Sequence, residues 1–253
     1  MVVSVLQAGE CRVWWADPRN ETIDTLTEPL SVVELERAAR FRRDADRRRF
    51  LTGAWLLRVA AGARLGVGPE DVVVDRTCPD CDKHHGRPRI VAGRSVLHAS
   101  ISHSGDRVAV ALTAEAPLGV DVEKVESTGS VEDLVKCALT PSERDAVLSL
   151  PESERYEAFV RVWVCKEAAL KATGHGLRVS PNLVEFDVTE DPPVLLRWPL
   201  DVPPETVRIH RLDPGHGYAA VVALLTGDRE VEVLESAPIE HQPLSVDPSR
   251  RAA

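Results

Sequence analysis

The sequence has no run of about 18 consecutive apolar residues, the length a helix needs to cross a bilayer. Its longest apolar candidate, Ala219 to Leu225, is strand-sized. It has no excess of basic charge: 31 Lys and Arg stand against 40 Asp and Glu, a formal charge of −9. That balance excludes a general affinity for nucleic acid or for an anionic membrane, which needs basic surface to meet phosphates, though a local basic patch stays open. A secretory leader is not in evidence, because the first residues lack a basic segment and Gln7 and Glu10 interrupt the apolar stretch. Cysteine is scarce and odd in number, at Cys11, Cys78, Cys81, Cys137 and Cys165. This rules out a disulfide-stapled scaffold and fits a reducing compartment, so the expected location is the cytoplasm. Also missing are a Walker or dinucleotide glycine loop, a G-x-S-x-G elbow and any direct internal repeat.

What remains is a folded, acidic chain of 253 residues, long enough for one large domain or two linked lobes. Cys11 to Ala16 has the pattern of a strand, and Ser31 with Glu34 forms a capping box that opens a short helix. From Asp44 to Ala63, Phe50, Ala54, Leu57 and Ala61 recur with near-helical spacing until the cluster Gly62, Gly66, Gly68, Pro69. Strands are expected at Asp71 to Asp75, Ala99 to His103, Arg107 to Thr113 and Leu118 to Glu123. The second half repeats the order loosely. Thr140, Pro141 and Glu143 supply an N-cap, an N1 proline and a capping-box acid; Pro151 opens a long helix that Gly174 ends. Further strands are expected at Glu185 to Val188, Val194 to Trp198, Val207 to Leu212 and Tyr218 to Leu225. The reading divides the chain at 1–116, 117–226 and 227–253, with disorder expected from about residue 236.

Several constellations carry candidate chemistry. In GVDVEKV, strand alternation puts Asp121 and Glu123 on one face and Val120 and Val122 on the other. Two adjacent carboxylates repel unless solvated or bridged by a cation, so the pair reads either as a wet edge strand or as hard ligands for Mg²⁺. In the helical segment FVRVWVCKEAALKATGHG, Glu167 and Lys171 are i and i+4. They form either a surface ion pair contributing ~0.3–0.5 kcal/mol or a third metal acid beside a phosphate-holding lysine. Arg37, Arg40, Arg42, Arg43, Arg47, Arg48 and Arg49 crowd one stretch against only Asp44 and Asp46. Arg43 and Arg47 share a helical face with Phe50, Ala54 and Leu57, so they are expected to point inward and to meet an anion such as a phosphate. His103 ends the strand in HASISHSG; as a strand neighbour of Ser102 it points to the opposite face, which excludes a direct nucleophile–base pair. Cys78, Cys81, His84 and His85 resemble a zinc knuckle, but four ligands within eight residues are tighter than finger spacing. The expectation is two reduced thiols in a turn and no zinc.

Four motifs in order, GRPRI, SISHSGDRVAVAL, GVDVEKV and WVCKEAALKA, closely resemble the 4′-phosphopantetheinyl transferase superfamily, in its larger monomeric surfactin-synthetase-activating branch, over about residues 10 to 226. The resemblance departs in the first lobe, where lysines of some relatives correspond here to arginines or, near Glu34, to an acid. It implies an α+β fold of two similar lobes in pseudo-twofold relation, each a small, mostly antiparallel sheet packed with helices. It implies a transferase that moves the phosphopantetheine arm of coenzyme A onto a serine of an acyl or peptidyl carrier protein, releasing adenosine 3′,5′-bisphosphate. It further implies Mg²⁺, with Mn²⁺ able to substitute. By resemblance, Asp121, Glu123 and Glu167 are the metal acids, with Glu167 also the base, directly or through water. Lys171 then contacts the phosphates and stabilises the leaving group, while Arg87, Ser102, His103 and Asp121 meet coenzyme A; Arg43 and Arg47 are added to the coenzyme A contacts from their expected inward face, not from the resemblance. Intact acids and lysine weigh against the alternative, a catalytically idle module that binds coenzyme A or a carrier.

Overall fold

The computed structural model of the chain describes residues 6–77, 86–92, 95–126 and 130–236. The first half runs β1 (Glu10–Ala16), α1 (Ile23–Thr27), α2 (Val32–Ala39), α3 (Asp44–Leu65), β2 (Val74–Asp75), β3 (Arg89–Ala92), β4 (Ser95–Ser104) and β5 (Arg107–Thr113). The second runs β6 (Leu118–Lys124), α4 (Val131–Ala138), α5 (Pro141–Leu148), α6 (Glu152–Thr173), β7 (Glu185–Asp187), β8 (Val194–Arg197), β9 (Val207–Arg211), β10 (Tyr218–Leu225) and β11 (Glu232–Glu235). Each half thus places one 22-residue helix, α3 or α6, behind its own sheet.

The helix ends follow from local chemistry. Ser31 and Glu34 close a reciprocal capping box on α2, and Thr140 and Glu143 do the same on α5 behind Pro141. Gly174 ends α6 at φ +81°, a left-handed conformation that glycine adopts without Cβ strain. No helix among the described residues is long and apolar enough to cross a membrane.

Six strands form one sheet in the order β11-β1-β5-β4-β3-β2, and β6-β10-β9 form a second, with β7-β8 a separate ribbon. Strand alternation sorts the side chains into layers. Trp14, Ala16, Val108, Val110 and Leu112 join the core under α3. Their strand neighbours Cys11, Val13, Trp15, Ala109 and Ala111 pack against Leu118, Val120, Val122, Val222 and Leu224 of the second sheet. The other face of that sheet, through Val221 and Ala223, packs with Val160, Val164 and Ala168 of α6. The architecture is α+β in four layers: helix, sheet, sheet, helix. Each fully buried Val or Leu between the sheets contributes roughly 1.5–3 kcal/mol, so the halves meet through a core and not through a wet domain contact.

Two expectations change. In place of a strand over Asp71 to Asp75 there is a 3₁₀ turn at Pro69–Asp71 and only two strand residues, Val74 and Asp75. The cause is Arg58, buried in α3, whose guanidinium donates to the carbonyls of Pro69 and Val72 and pins the turn to the helix. Second, the segment expected as an extension from 227 holds a strand that was not foreseen. β11 pairs in parallel with β1, with Cys11 opposite Val233, and so returns the chain to the first sheet. Four residues ending in Glu235 show no long period by which to find it. Residues 237–253 lie outside those described.

Candidate active site

The site forms where β4 of the first sheet, β6 of the second and α6 converge. Gly119 makes the approach of helix to strand possible: a Cβ there would collide with the carbonyl oxygen of Ala168 and with the Cβ of Lys171. With the backbones this close, Lys171 reaches across to β6. Its ammonium donates to Asp121 Oδ1 at 2.5 Å, to Ser102 Oγ at 3.1 Å and to the Val120 carbonyl at 3.2 Å. Of the two readings left open for Lys171, the surface pair with Glu167 is not formed: the lysine turns to Asp121.

The three acids lie within electrostatic reach of one another. Burial pushes the carboxyl of Glu167 up to about 7; Lys171 opposes this, and Asp121 and Glu123 add to it. Glu123 is raised above its ordinary value by burial and then by Asp121, with Ser104 and Lys171 pulling it down. Two oxygens stand out, since Asp121 Oδ2 and Glu167 Oε1 are buried and have no hydrogen-bond partner. Buried carboxylate oxygens are normally satisfied, because leaving one bare costs about 1–3 kcal/mol or more.

Among the described residues, no three His, Cys, Asp or Glu side chains already enclose a point as a metal cage. The donor set nonetheless fits Mg²⁺, which takes one or two carboxylates and completes its octahedron with water and substrate phosphates. Zn²⁺, which prefers nitrogen and sulfur in a closed tetrahedron, fits poorly here.

The remaining expected residues divide. Ser102 is buried, and its hydroxyl is taken up within the protein: it donates to Asp121 Oδ1 at 2.8 Å and accepts from Lys171 and from the Val122 amide. His103, its strand neighbour, is exposed. Partial removal from water, then the charges of Arg49 and Lys171, hold its imidazole below the ordinary value. Arg87 donates to the Ala172 carbonyl at 2.6 Å and so ties the start of β3 to the end of α6, one residue past Lys171. Burial, then Arg89, lowers its pKa.

Arg43 and Arg47 are exposed and do not point inward. The helix begins only at Asp44, with Arg43 its N-cap, and side-chain burial starts at Phe50. Arg48 and Arg49 turn toward the protein instead. Arg48 donates to the carbonyls of Pro18 and Glu21, and Arg49 to Gly105 in the turn that follows β4. Arg49 lies one turn before Gly53, where α3 presses so closely on Ile101 that a Cβ would sit 2.9 Å away. Glu34 is buried and bonded to Arg58 at 2.8 Å. Cys78, Cys81, His84 and His85 lie outside the described residues.

A cavity of about 680 Å³ lies at the opposite end of β10, between Gly9 and the Thr226–Glu232 segment. Its lining holds Arg208, which pairs with Asp228, and Arg229, which donates to the Glu115 carbonyl. It has no part in the acid cluster.

A family model described as the 4′-phosphopantetheinyl transferase superfamily matches residues 117–223. The chain is 34% identical over 192 residues to the 4′-phosphopantetheinyl transferase HetI of a Nostoc species, spanning 74% of this chain and 77% of that one. It is 29% identical over 213 residues to the 4′-phosphopantetheinyl transferase psf-1 of Bacillus pumilus, spanning 84% and 87%. A solved holo-[acyl-carrier-protein] synthase from Thermotoga maritima superposes with a TM-score of 0.36 at 26% identity, over 44% of this chain and 63% of that one, a likeness too slight to argue from.

Proposed function

The chain belongs to the 4′-phosphopantetheinyl transferase superfamily and is an enzyme of carrier-protein activation; from this we propose that Asp121, Glu123, Glu167 and Lys171 form its transfer site, with coenzyme A as donor. The observation that carries the assignment is the pair of buried, unpartnered oxygens, Asp121 Oδ2 and Glu167 Oε1, facing a lysine already in place. Two such oxygens on neighbouring carboxylates suit a shared cation.

Asp121, Glu123 and Glu167 would hold Mg²⁺. When bound, the ion neutralises charge on the pyrophosphate of coenzyme A. The chain's own groups do the rest. Lys171, with an ammonium anchored on Asp121 and Ser102, supplies a fixed positive charge for the phosphate oxygens and for the leaving bisphosphate. Glu167 is the group assigned to take a proton from the attacking serine of the carrier, directly or through water. The serine oxygen forms a bond to the phosphorus that carries the pantetheine arm. The bond from that phosphorus to the bridging oxygen breaks, and adenosine 3′,5′-bisphosphate leaves with the electron pair. Arg87, His103, Arg43 and Arg47 are assigned to the anionic, nucleotide end of coenzyme A. For Arg43 and Arg47 the support is charge and accessibility alone.

The test is incubation with coenzyme A, Mg²⁺ and a panel of apo acyl and peptidyl carrier domains, followed by intact mass. At least one carrier gains a single phosphopantetheine arm, and Asp121→Ala and Glu167→Ala each lower the rate by roughly 10²–10⁴-fold. Full turnover by Glu167→Gln at saturating Mg²⁺ would remove both roles given to Glu167.

A further inference from the structure

Three serines alternate along β4, Ser100, Ser102 and Ser104, and all face the second sheet. Among the described residues β6 is an edge strand, paired only with β10. Its outward amides, which a neighbouring strand would normally accept, go to these hydroxyls: Val120 to Ser100 at 3.0 Å, Val122 to Ser102 at 3.4 Å and Lys124 to Ser104 at 3.1 Å. A hydroxyl that accepts such a bond still has its own proton to give. Ser102 gives it to Asp121 Oδ1 and Ser104 gives it to Glu123 Oε2, both at 2.8 Å. Ser102 and Ser104 therefore each bind an amide and the side chain of the residue before that amide. At Ser100 that preceding residue is Gly119, which has no side chain to bind.

We propose that Ser104 is a positioning residue: it holds the Glu123 carboxylate in register for a divalent cation, as Ser102 holds Asp121. The inference rests on Asp121 and Glu123 being metal ligands. Ser104 touches neither substrate nor reacting atoms and acts through Glu123. A ligating carboxylate is oriented by what hydrogen-bonds to it, and loss of such a partner typically costs 10–100-fold in metal affinity. Because the serines belong to the first sheet and the acids to the second, the packing of the two sheets itself sets the spacing of the ligands. Ser102 is then a holder of Asp121 and Lys171 through its hydroxyl.

Ser100 supplies the control, since it makes the same amide contact and holds no acid. The experiment is Mn²⁺ titration followed by the electron paramagnetic resonance of free Mn²⁺, with coenzyme A present and no carrier, so that no turnover occurs. Melting temperatures are measured alongside. Ser104→Ala is expected to weaken Mn²⁺ binding by roughly 10-fold or more, and Ser104→Thr, which keeps the hydroxyl, to restore it to within about three-fold. Ser100→Ala is expected to lower the melting temperature with Mn²⁺ affinity unchanged. If Ser104→Ala weakens Mn²⁺ no more than Ser100→Ala does while Glu123→Gln still weakens it, Ser104 is a structural rung only and the proposal is wrong, with the site assignment intact. If Glu123→Gln also leaves Mn²⁺ affinity unchanged, the assignment of Glu123 fails and the proposal falls with it.

Discussion

Glu167 shows how one carboxyl is caught between packing and chemistry. Its position on α6 puts it in the core side of the helix, and withdrawal from water is the first cause of a pKa near 7. The unfolded carboxyl titrates near 4.5. Between these values the folded chain holds a proton that the unfolded chain has released, so stability falls as pH rises through the window from 4.5 to 7. Glu167→Gln removes the titration. With divalent metal chelated, the variant should match wild type below pH 4.5 and exceed it by about 1–3 kcal/mol at pH 8, read from urea midpoints across the range. Parallel pH curves for the two proteins would mean that the carboxyl is not strained by its setting. Spacing marked Asp121 with Glu123 and Glu167 with Lys171 as two pairs, and the ordered motifs of the resemblance joined them. The contribution of Ser104 was not visible, because a serine in a strand has no type or spacing that reveals which carboxylate it will meet.

At the level of elements, the crossing of α6 over β6 decides whether the site exists. Gly119 permits it through absence of a side chain, at a point where Ala168, Lys171 and Ala172 of the helix come up against the strand. Gly119→Ala should force strand and helix apart, destabilising the protein by roughly 1–3 kcal/mol and carrying Lys171 away from Asp121. The check is a urea midpoint together with transfer rate. A variant with unchanged midpoint and rate would show that the contact yields easily. The helix limits themselves were legible, since capping boxes, the N1 proline and Gly174 act within a turn of their own positions. The strand expected at Asp71 to Asp75 was misjudged because Arg58, more than ten residues earlier, takes up the carbonyls of that segment. The inward face expected of Arg43 and Arg47 was misjudged because periodicity cannot tell where along a helix its packing begins.

Across the whole molecule, the chain's later residues close the first sheet. β11 lies beside β1, and Glu235 accepts from the indole of buried Trp15 at 2.9 Å and from the Asp213 amide. The lobes are further joined by Tyr218, whose hydroxyl accepts from the Asp106 amide, and by Arg107, which donates to the Pro214 carbonyl. Glu235→Ala strands the Trp15 donor in a buried place and should lower stability by about 1–3 kcal/mol, in one cooperative transition seen alike by Trp fluorescence and far-ultraviolet circular dichroism. Two separated transitions would mean that the halves unfold independently.

The sequence by itself determined the α+β class, the positions of α2, α3, α5 and α6 and the strands β1, β5, β6 and β10. All of these depend on short-range signals, caps and periodicity; the grouping of Asp121 and Glu123 with Glu167 and Lys171, more than forty residues on, came from the resemblance and not from any local pattern. Tertiary structure alone decided that Lys171 pairs with Asp121 and not with Glu167, that Arg49 and not Arg43 or Arg47 turns toward the β4–β5 turn, that β11 returns to β1, and that serines of one sheet hold the acids of the other. Each of those outcomes joins residues far apart in the chain. It is set by how closely two elements can pack and by which buried polar group is left needing a partner, and no local pattern carries either quantity.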